Sequence, residues 1–289
     1  MPQQRRGKTV LVCLAAQCAA ILCGCASVEA ADVPADAYDA AVLADKPVGY
    51  WTLANPFSGK ENDAAGSGHE GHYGGPKATT TVLPNGTPAA HFRGDQYLEV
   101  ADASDLRPAT TGVLTVEAWI CPDTLDFAHT EGTGYVNWLG KGEPGSYEYV
   151  SRIYSAGNDE GRANRISGYY FKLSGGLGAG SFFQDTVTPG GWIHYVLVIN
   201  RSAQTDEYPN GYTKIYKNGV LRDQDDLSVD GEPISSGPGT APLRVGTDDL
   251  ESFFEGSIGK VAIYNYELSQ ADILGHDQLM TGQRANVNG

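Results

Sequence analysis

The sequence predicts an all-β domain built as a sandwich of two sheets. Several short segments carry strand patterns, and the chain contains 37 glycines and 15 prolines that supply turns between them. Residues 113–120 alternate apolar and polar side chains, with the period of a half-buried strand. Residues 192–199 are apolar at nearly every position, which is typical of a strand covered on both faces.

The chain begins with the pattern of a secretory signal. Basic residues precede an apolar stretch that is too short for a comfortable membrane span. We interpret residues 1–24 as a signal peptide and residues 25–37 as a tether. Residues 38–279 are then the folded domain, and residues 280–289 form a flexible tail.

The end of the signal segment, LCGC at residues 22–25, resembles the lipobox of bacterial lipoproteins. The resemblance implies that Cys25 is acylated and that the protein is lipid-anchored in the bacterial cell envelope. An N-terminal lipid would be its only contact with the membrane. The alternative is ordinary signal cleavage after Ala30, which would release a secreted protein.

The net charge of the chain limits the classes of partner that it can bind. The chain carries 35 acidic and 20 basic residues, a net charge of −15 that opposes binding to nucleic acid or anionic headgroups. We therefore expect no nucleic-acid partner.

Cys121 is the only cysteine of the predicted mature domain outside the signal region, so no intramolecular disulfide is expected.

Two local signals predict specific elements near the end of the chain. Asn218 and Gly219 lie between strand-like segments, and both residue types accept the positive φ that a type I′ hairpin requires. Ser269 is a suitable helix cap, and Asp272 follows it three residues later in a shortened capping box. We therefore expect one short C-terminal helix.

An ordered set of motifs identifies the kind of sandwich. The motifs are HFRGDQYLEV at residues 91–100, TVEAWICP at 115–122, GWIHYV at 191–196 and IYKNG at 215–219, followed by a closing segment at 241–278. Their order resembles laminin G-like, concanavalin A-like jelly-roll domains. The resemblance implies two antiparallel sheets, one of them concave. In various relatives the concave side holds sugars, glycosaminoglycans, protein ligands or an active site, and the fold does not select among these.

The chain lacks the catalytic patterns of enzymes that share this fold. It has no Glu-x-Asp-x-x-Glu run of the kind that glycosidases of this fold place on one strand. His194 lacks the Gln partner found in lyases of this fold and is interpreted as a packed strand histidine. The nearest acidic cluster, residues 248–251, is interpreted as a solvated loop. We predict that the protein is not an enzyme.

A structural calcium ion is the one bound cofactor that the resemblance suggests. Residues 61–71 resemble the family's calcium loop, with Asp63 in the acidic position. In the last strand, however, IGKV at residues 258–261 replaces the family's acidic residue and adds a positive charge. Asp63 is therefore a candidate metal ligand, with turn formation as the alternative role.

The best region for a ligand site is residues 126–168, which supply both aromatic and planar polar side chains. Aromatic faces cover the apolar faces of sugar rings, and polar groups bond to hydroxyls. The alternative is that Trp138 and the tyrosines belong to the core. The candidate ligand-binding residues are Trp138, Tyr147, Arg152, Tyr154, Asn158 and Asp159.

These observations lead to one expected function and two alternatives. We expect a secreted, lipid-anchored, non-catalytic module that binds an extracellular ligand, with glycan as the favoured class. The first alternative is a structural or adhesive surface protein that binds another protein. The second is a glycan-active enzyme on the same fold.

Overall fold

A computed structural model describes residues 35–283. The predicted signal peptide, the lipidation site at Cys25 and most of the tether lie outside the described residues, as do residues 284–289 of the tail. Within the described range, no helix is long and apolar enough to cross a membrane.

Eighteen strands and three α-helices occur in the described part of the chain. The first half contains α1 (Ala37–Ala44), β1 (Gly49–Trp51), β2 (Lys60–Glu61), β3 (Gly71–Gly74), β4 (Thr79–Val82), β5 (Pro88–Arg93), β6 (Tyr97–Val100), α2 (Pro108–Thr111), β7 (Val113–Pro122) and β8 (Tyr135–Glu143). The second half contains β9 (Ser146–Tyr154), β10 (Ile166–Tyr170), β11 (Ala179–Phe182), β12 (Ile193–Asn200), β13 (Tyr212–Lys217), β14 (Val220–Asp226), β15 (Ser228–Val229), β16 (Glu232–Pro233), β17 (Leu243–Val245), β18 (Glu255–Tyr264) and α3 (Gln270–Thr281).

The strands form two large antiparallel sheets. The first sheet has the order β14-β13-β12-β7-β18-β5-β4, with β1 also paired to β18. The second has the order β11-β10-β9-β8-β17-β6-β3-β2. Strands β15 and β16 form a separate small ribbon. The two sheets and the C-terminal helix confirm the predicted jelly-roll sandwich.

Alternation along the central strands explains how each sheet is covered. In β7, Leu114, Val116 and Ile120 enter the main core between the sheets, whereas Trp119 points to the opposite face. Every residue of β12 is buried, which confirms the prediction of a strand covered on both faces. A second apolar cluster, which includes Tyr38 of α1 and Ile273 of α3, covers the outer face of the first sheet.

The two local signals near the end of the chain are also confirmed. Asn218 and Gly219 have φ angles of 53° and 74°, the left-handed values that the hairpin between β13 and β14 requires. The Oγ of Ser269 accepts a hydrogen bond from the backbone N–H of Asp272 at 3.2 Å and caps α3. The helix continues to Thr281, and Met280 is buried.

A buried polar network joins the helices to the first sheet. The carboxylate of Glu117 in β7 accepts hydrogen bonds from the hydroxyls of Tyr38 and Tyr264, each at 2.8 Å. His194 Nε2 and His276 Nδ1 lie 2.9 and 3.0 Å from the same carboxylate. His194 is fully buried, as predicted for a packed strand histidine.

Charge pairing within this network shifts two pKa values in opposite directions. Burial alone would raise the pKa of Glu117, but the charge of His276 and the hydrogen bond from His194 hold it well below its usual range. Burial alone would lower the pKa of His276, but the Glu117 carboxylate and the nearby Asp45 raise it. Glu117 and His276 therefore form a buried ion pair.

Candidate functional site

The outer face of the second sheet carries an open groove of about 520 Å³. Strands β8, β9 and β10 supply lining residues, as do the loops at residues 132–133 and 171–178. Because strand residues alternate between faces, Tyr149 and Ile153 of β9 enter the core, whereas Arg152 and Tyr154 line the groove.

Five aromatic rings line the groove: Tyr135, Tyr147, Tyr154, Tyr169 and Phe171. The ring centroid of Phe171 lies 5.7 Å from that of Tyr147 and 5.9 Å from that of Tyr169. Tyr135 and Tyr154 meet edge to face, with centroids 6.0 Å apart. Tyr135 and Tyr147 are partly exposed and offer apolar surface together with phenolic hydroxyls, whereas Tyr154, Tyr169 and Phe171 are buried beneath them.

Arg152 lies against two of these rings. Its guanidinium carbon is 3.7 Å from the ring centroid of Tyr135 and 5.0 Å from that of Tyr169. Its Nε donates to Oδ1 of Asn137 at 2.9 Å. The planar guanidinium stacks favourably on the aromatic ring. The hydrogen bond to Asn137 fixes the orientation of the guanidinium over that ring. The side chain is thus positioned before any ligand arrives.

Arg162 is positioned by two tyrosine hydroxyls. Its Nη1 donates to the hydroxyl of Tyr154 at 3.2 Å and to that of Tyr169. The two hydroxyls lie 2.7 Å apart, and the guanidinium carbon is 4.7 Å from the ring centroid of Phe182. Burial and the neighbouring Tyr154 raise the pKa of Tyr169, so the Tyr169 hydroxyl keeps its proton at neutral pH.

Two acids lie near Arg152, and both accept hydrogen bonds from the side-chain amide of Asn137. Nδ2 of Asn137 donates to Glu131 and also, at 3.0 Å, to Asp249. Burial and the charge of Asp249 raise the pKa of Glu131 to about 7, with Arg152 opposing the rise. Glu131 therefore gains or loses its charge near neutral pH.

Asp248 is a fully buried carboxyl group on the same side of the sheet. Neither of its oxygens has a hydrogen-bond partner in residues 35–283. Burial and the neighbouring Asp249 hold the pKa of Asp248 well above its usual range. The prediction of a solvated loop is wrong for Asp248 and Asp249, because the loop folds over Gly140, where a β-carbon would lie 2.8 Å from Asp248 Cγ.

The structure separates the predicted ligand-binding residues into two groups. Tyr147 and Arg152 line the groove and are partly exposed, whereas Tyr154 lines it only from beneath, because its side chain is fully buried. Trp138 does not, because its side chain is fully buried in the main core, edge-on to Tyr195 at 5.0 Å between ring centroids. The alternative interpretation of Trp138 as a core residue is the one that the structure supports.

Asn158 and Asp159 lie beside the groove rather than in it. Nδ2 of Asn158 donates to the carbonyl of Thr133 at 2.9 Å, and its Oδ1 accepts from the backbone N–H of Arg162 at 3.3 Å. Asn158 thus shapes the loop that carries Arg162. Asp159 is exposed and is followed by the lining residue Glu160.

Tyr135, Arg162, Tyr169 and Phe171 also line the groove but were not among the candidates. For Tyr169 and Phe171 the available signal was alternation around Tyr170, which enters the main core. That pattern alone does not say which face carries the ligand. The pairing of Tyr169 with Val150 places Tyr169 on the outer face.

Asp63 organises a loop through backbone hydrogen bonds. Its Oδ1 accepts from the N–H groups of Tyr50 and Ala65 at 3.0 and 2.9 Å. Its Oδ2 accepts from those of Ser67 and His69 at 2.9 and 3.2 Å. This pattern favours the turn-forming role over metal binding. Among residues 35–283, no group of three or more His, Cys, Asp or Glu side chains is arranged to hold a metal ion.

The fold and the groove define a two-sheet jelly-roll domain of the concanavalin A-like type. The sequence profile of the concanavalin A-like lectin/glucanases superfamily matches residues 92–274. The chain therefore belongs to this superfamily. A comparison with curated proteins gives no match.

Several solved structures share the fold at low sequence identity. Domain 4 of AbnA, a GH43 extracellular arabinanase from Geobacillus stearothermophilus in complex with arabinotriose, has a TM-score of 0.55 and 16% identity, covering 81% of this chain and 98% of that one. The binding domain of botulinum neurotoxin DC in complex with SialylT has a TM-score of 0.58 and 13% identity, covering 82% and 52%. The binding domain of Paraclostridial mosquitocidal protein 1 has a TM-score of 0.56 and 12% identity, covering 82% and 52%. This chain thus spans about half the length of the two toxin domains. At these identities the likeness concerns the fold alone.

Proposed function

We propose that the protein is a non-catalytic module that binds an extracellular glycan in the groove. The observation that carries the proposal is the lining, in which two guanidinium groups lie against aromatic rings. Aromatic faces contact the apolar faces of sugar rings, while the arginines and phenols bond to sugar oxygens. The groove volume of about 520 Å³ falls within the usual range for small-ligand sites, roughly 300–1,000 Å³.

The arabinotriose complex of AbnA domain 4 supports this assignment, because a domain of the same fold holds an oligosaccharide. The chain covers 98% of that domain, so the two have comparable extents. Neither fact identifies the sugar that this groove accepts, which is why the proposal rests on the lining residues.

The arrangement of the nearby acids supports a binding role rather than hydrolysis. A retaining glycosidase needs two carboxyl groups about 5–5.5 Å apart with the scissile bond between them. Glu131 and Asp249 instead accept hydrogen bonds from the same Asn137 amide, and Asp248 is fully buried. Glu131 and Asp249 therefore share one donor, an arrangement unlike two carboxyl groups that flank a glycosidic bond.

We also propose that the protein works outside the cytoplasm, attached to the cell envelope through a lipid on Cys25. The basis is the LCGC pattern that ends the signal-like segment. The groove lining is compatible with glycans or glycoproteins of the extracellular space. Cleavage after Ala30 remains the alternative route to the same compartment.

A glycan array probed with the full chain tests the binding function. We expect a defined set of glycans to be retained, and we expect Tyr135→Ala to weaken that binding by up to about tenfold, the stacking contribution of one ring. Tyr266→Ala is the matched control, because Tyr266 is exposed and does not line the groove. An empty array, or equal effects of the two variants, would contradict the proposal and favour the alternative of a protein partner.

A further inference from the structure

The cations in the groove differ from the buried cations elsewhere in the molecule. Lys141, Arg244 and Lys260 are buried, and each has a carboxylate oxygen within 3.1 Å. The groove-lining Arg152, Arg162 and Lys172 are half-buried, and within residues 35–283 none has a carboxylate oxygen within 4.0 Å. Within the same residues the half-buried Arg165 and Arg201 also lack a carboxylate partner, so the distinctive feature is that three such cations lie in one groove.

The geometry of Arg152 leaves its terminal nitrogens available. Its hydrogen bond within the described range uses Nε, and its flat face is covered by Tyr135. The two terminal nitrogens form the edge that gives parallel N–H bonds to a carboxylate or sulfate. Arg162 uses only Nη1 for the two tyrosine hydroxyls. Both guanidiniums are therefore fixed by neutral groups and keep donors for an anion.

Among residues 35–283, the acids near the groove form no ion pair with these cations, including Asp225, which shares a neighbouring cleft with Arg162. Glu160 is the one acid among the lining residues, and its carboxylate accepts from the hydroxyl of Thr133. Glu131 lies behind Asn137, outside the lining. The lining therefore carries three cations and one acid, whereas the whole chain has a net charge of −15.

We propose that the groove selects acidic glycans, with Arg152 and Arg162 binding a sugar carboxylate or sulfate. This inference rests on the proposed function and names its ligand class. The negative charge of the rest of the molecule repels a long polyanion over about one Debye length, about 8 Å at physiological ionic strength. A short acidic oligosaccharide or the acidic end of a chain fits both the local cations and the surrounding negative charge.

Calorimetric titration of the full chain with matched sugars tests the proposal. Each acidic probe is compared with a neutral partner of the same stereochemistry: oligogalacturonate with its methyl ester, and sulfated with unsulfated galacto-oligosaccharide. Oligoguluronate, oligoglucuronate and sialyllactose, each with its neutral counterpart, extend the set. We expect at least one acidic probe to bind about tenfold or more tightly than its neutral partner, as a charge-assisted bidentate contact predicts. The two acidic arms separate carboxylate from sulfate recognition.

Arginine variants assign the selectivity to the groove. Arg152→Gln and Arg162→Gln are expected to weaken binding of the preferred acidic probe by about 10- to 100-fold and to weaken binding of the neutral partner much less, because only the acidic probe loses a charge-assisted contact. Arg152→Lys keeps the charge but loses the planar fork, so an intermediate loss is expected. Arg165→Gln is the matched control, because it removes the same charge from a half-buried arginine outside the lining. Melting temperatures verify that each variant is folded.

Three outcomes would overturn the inference. If every acidic probe binds no better than its neutral partner, while Tyr135→Ala weakens neutral binding, the ligand class is wrong and the glycan function stands. If no probe and no array glycan binds, both proposals fail. If only long polyanions bind, and Arg152→Gln and Arg165→Gln weaken them equally, the attraction is a non-specific surface effect and the groove has no such selectivity.

Discussion

Nδ1 of His276, in the last helix, lies 3.0 Å from Oε1 of Glu117 in the middle of the first sheet. His276 also faces Asp45, whose carboxylate is 3.4 Å from its Nε2. With an acid at each ring nitrogen, the imidazole is held in its doubly protonated form. The attachment of α3 to the sandwich thus includes a buried ion pair beside the apolar contacts of Ile273 and Met280.

This pair predicts a stability maximum at mildly acidic pH. The raised pKa of His276 means that its contribution is complete below its unfolded value of 6.5 and is lost as pH rises through the folded value. The lowered pKa of Glu117 means that its contribution is present above its unfolded value of 4.5 and is lost as pH falls. We expect melting temperatures measured from pH 4 to 9 to peak between these two values.

Substitution of His276 should remove the alkaline decline. His276→Gln leaves the Glu117 carboxylate without a charged partner, which is expected to cost about 3–5 kcal/mol of unfolding free energy. His129→Gln, which changes an exposed histidine, serves as the control. A pH profile that is the same for both variants would show that His276 is not the titrating group.

Trp138 and Tyr135 should respond differently to the same truncation. Trp138→Ala is expected to lower the free energy of unfolding by about 3–5 kcal/mol, because it opens a cavity in the main core. Tyr135→Ala should lower it less, since Tyr135 is partly exposed, and should weaken glycan binding instead. Denaturant titration and calorimetry separate the two effects. A Trp138→Ala protein of full stability and no glycan binding would contradict this assignment.

The four backbone hydrogen bonds that Asp63 accepts indicate a loop that needs no metal ion. Chelator should change the melting temperature little, whereas a calcium site occupied at a hundred times its dissociation constant would contribute about 2.7 kcal/mol. Asp63→Ala should destabilise the protein, because four backbone N–H groups lose a charged acceptor. Asp159→Ala, an exposed acid, is the control. A fall of several degrees on chelation would restore the metal interpretation.

Glu131 predicts that binding of an acidic glycan tightens as pH falls. Above its pKa of about 7, Glu131 is charged and reduces the positive potential at Arg152; below it, Glu131 is neutral. By linkage, an anion bound at Arg152 also favours proton uptake by Glu131. The titratable groups that face Glu131 are Arg152, Asp248, Asp249, Glu251 and the phenols of Tyr135 and Tyr147.

We expect affinity for the preferred acidic probe to rise about fivefold or more from pH 8 to pH 6. Glu131→Gln should flatten this profile at the tighter value, because it mimics the neutral acid. The neutral methyl ester should show no such pH dependence. An unchanged slope in Glu131→Gln would assign the titration to another group.

The proposed anchor predicts a covalently bound fatty acid. Metabolic labelling of cells that express the full chain should label the wild type, and Cys25→Ala should remove both the label and membrane retention. Cys121→Ala is the control, because Cys121 lies in the folded domain. An unlabelled wild type whose mature N-terminus follows Ala30 would support ordinary secretion.

Much of the fold was predictable because it depends on local patterns. The apolar run of β12, the Asn218-Gly219 turn and the Ser269 cap each use chemistry contained within a few residues. The ordered motifs added the two-sheet arrangement. The strand run, the turn and the helix cap do not depend on how the strands are arranged in the sheets.

The site was less predictable because it depends on register and tertiary packing. Trp138 and Leu139 both enter the core, since a bulge between Asn137 and Leu139 interrupts the alternation of β8. Asp248 is buried only because Gly140, a residue distant in sequence, leaves room for it. Neither the bulge nor that contact can be recognised from a short stretch of sequence.

Helix α1 has a consequence for how the molecule can be displayed. It packs with α3 on the outer face of the first sheet, whereas the groove opens on the outer face of the second. The polypeptide thus enters the folded domain on the outer face of the first sheet, opposite the groove. Attachment through residues that precede α1 therefore reaches the folded domain on the side opposite the groove.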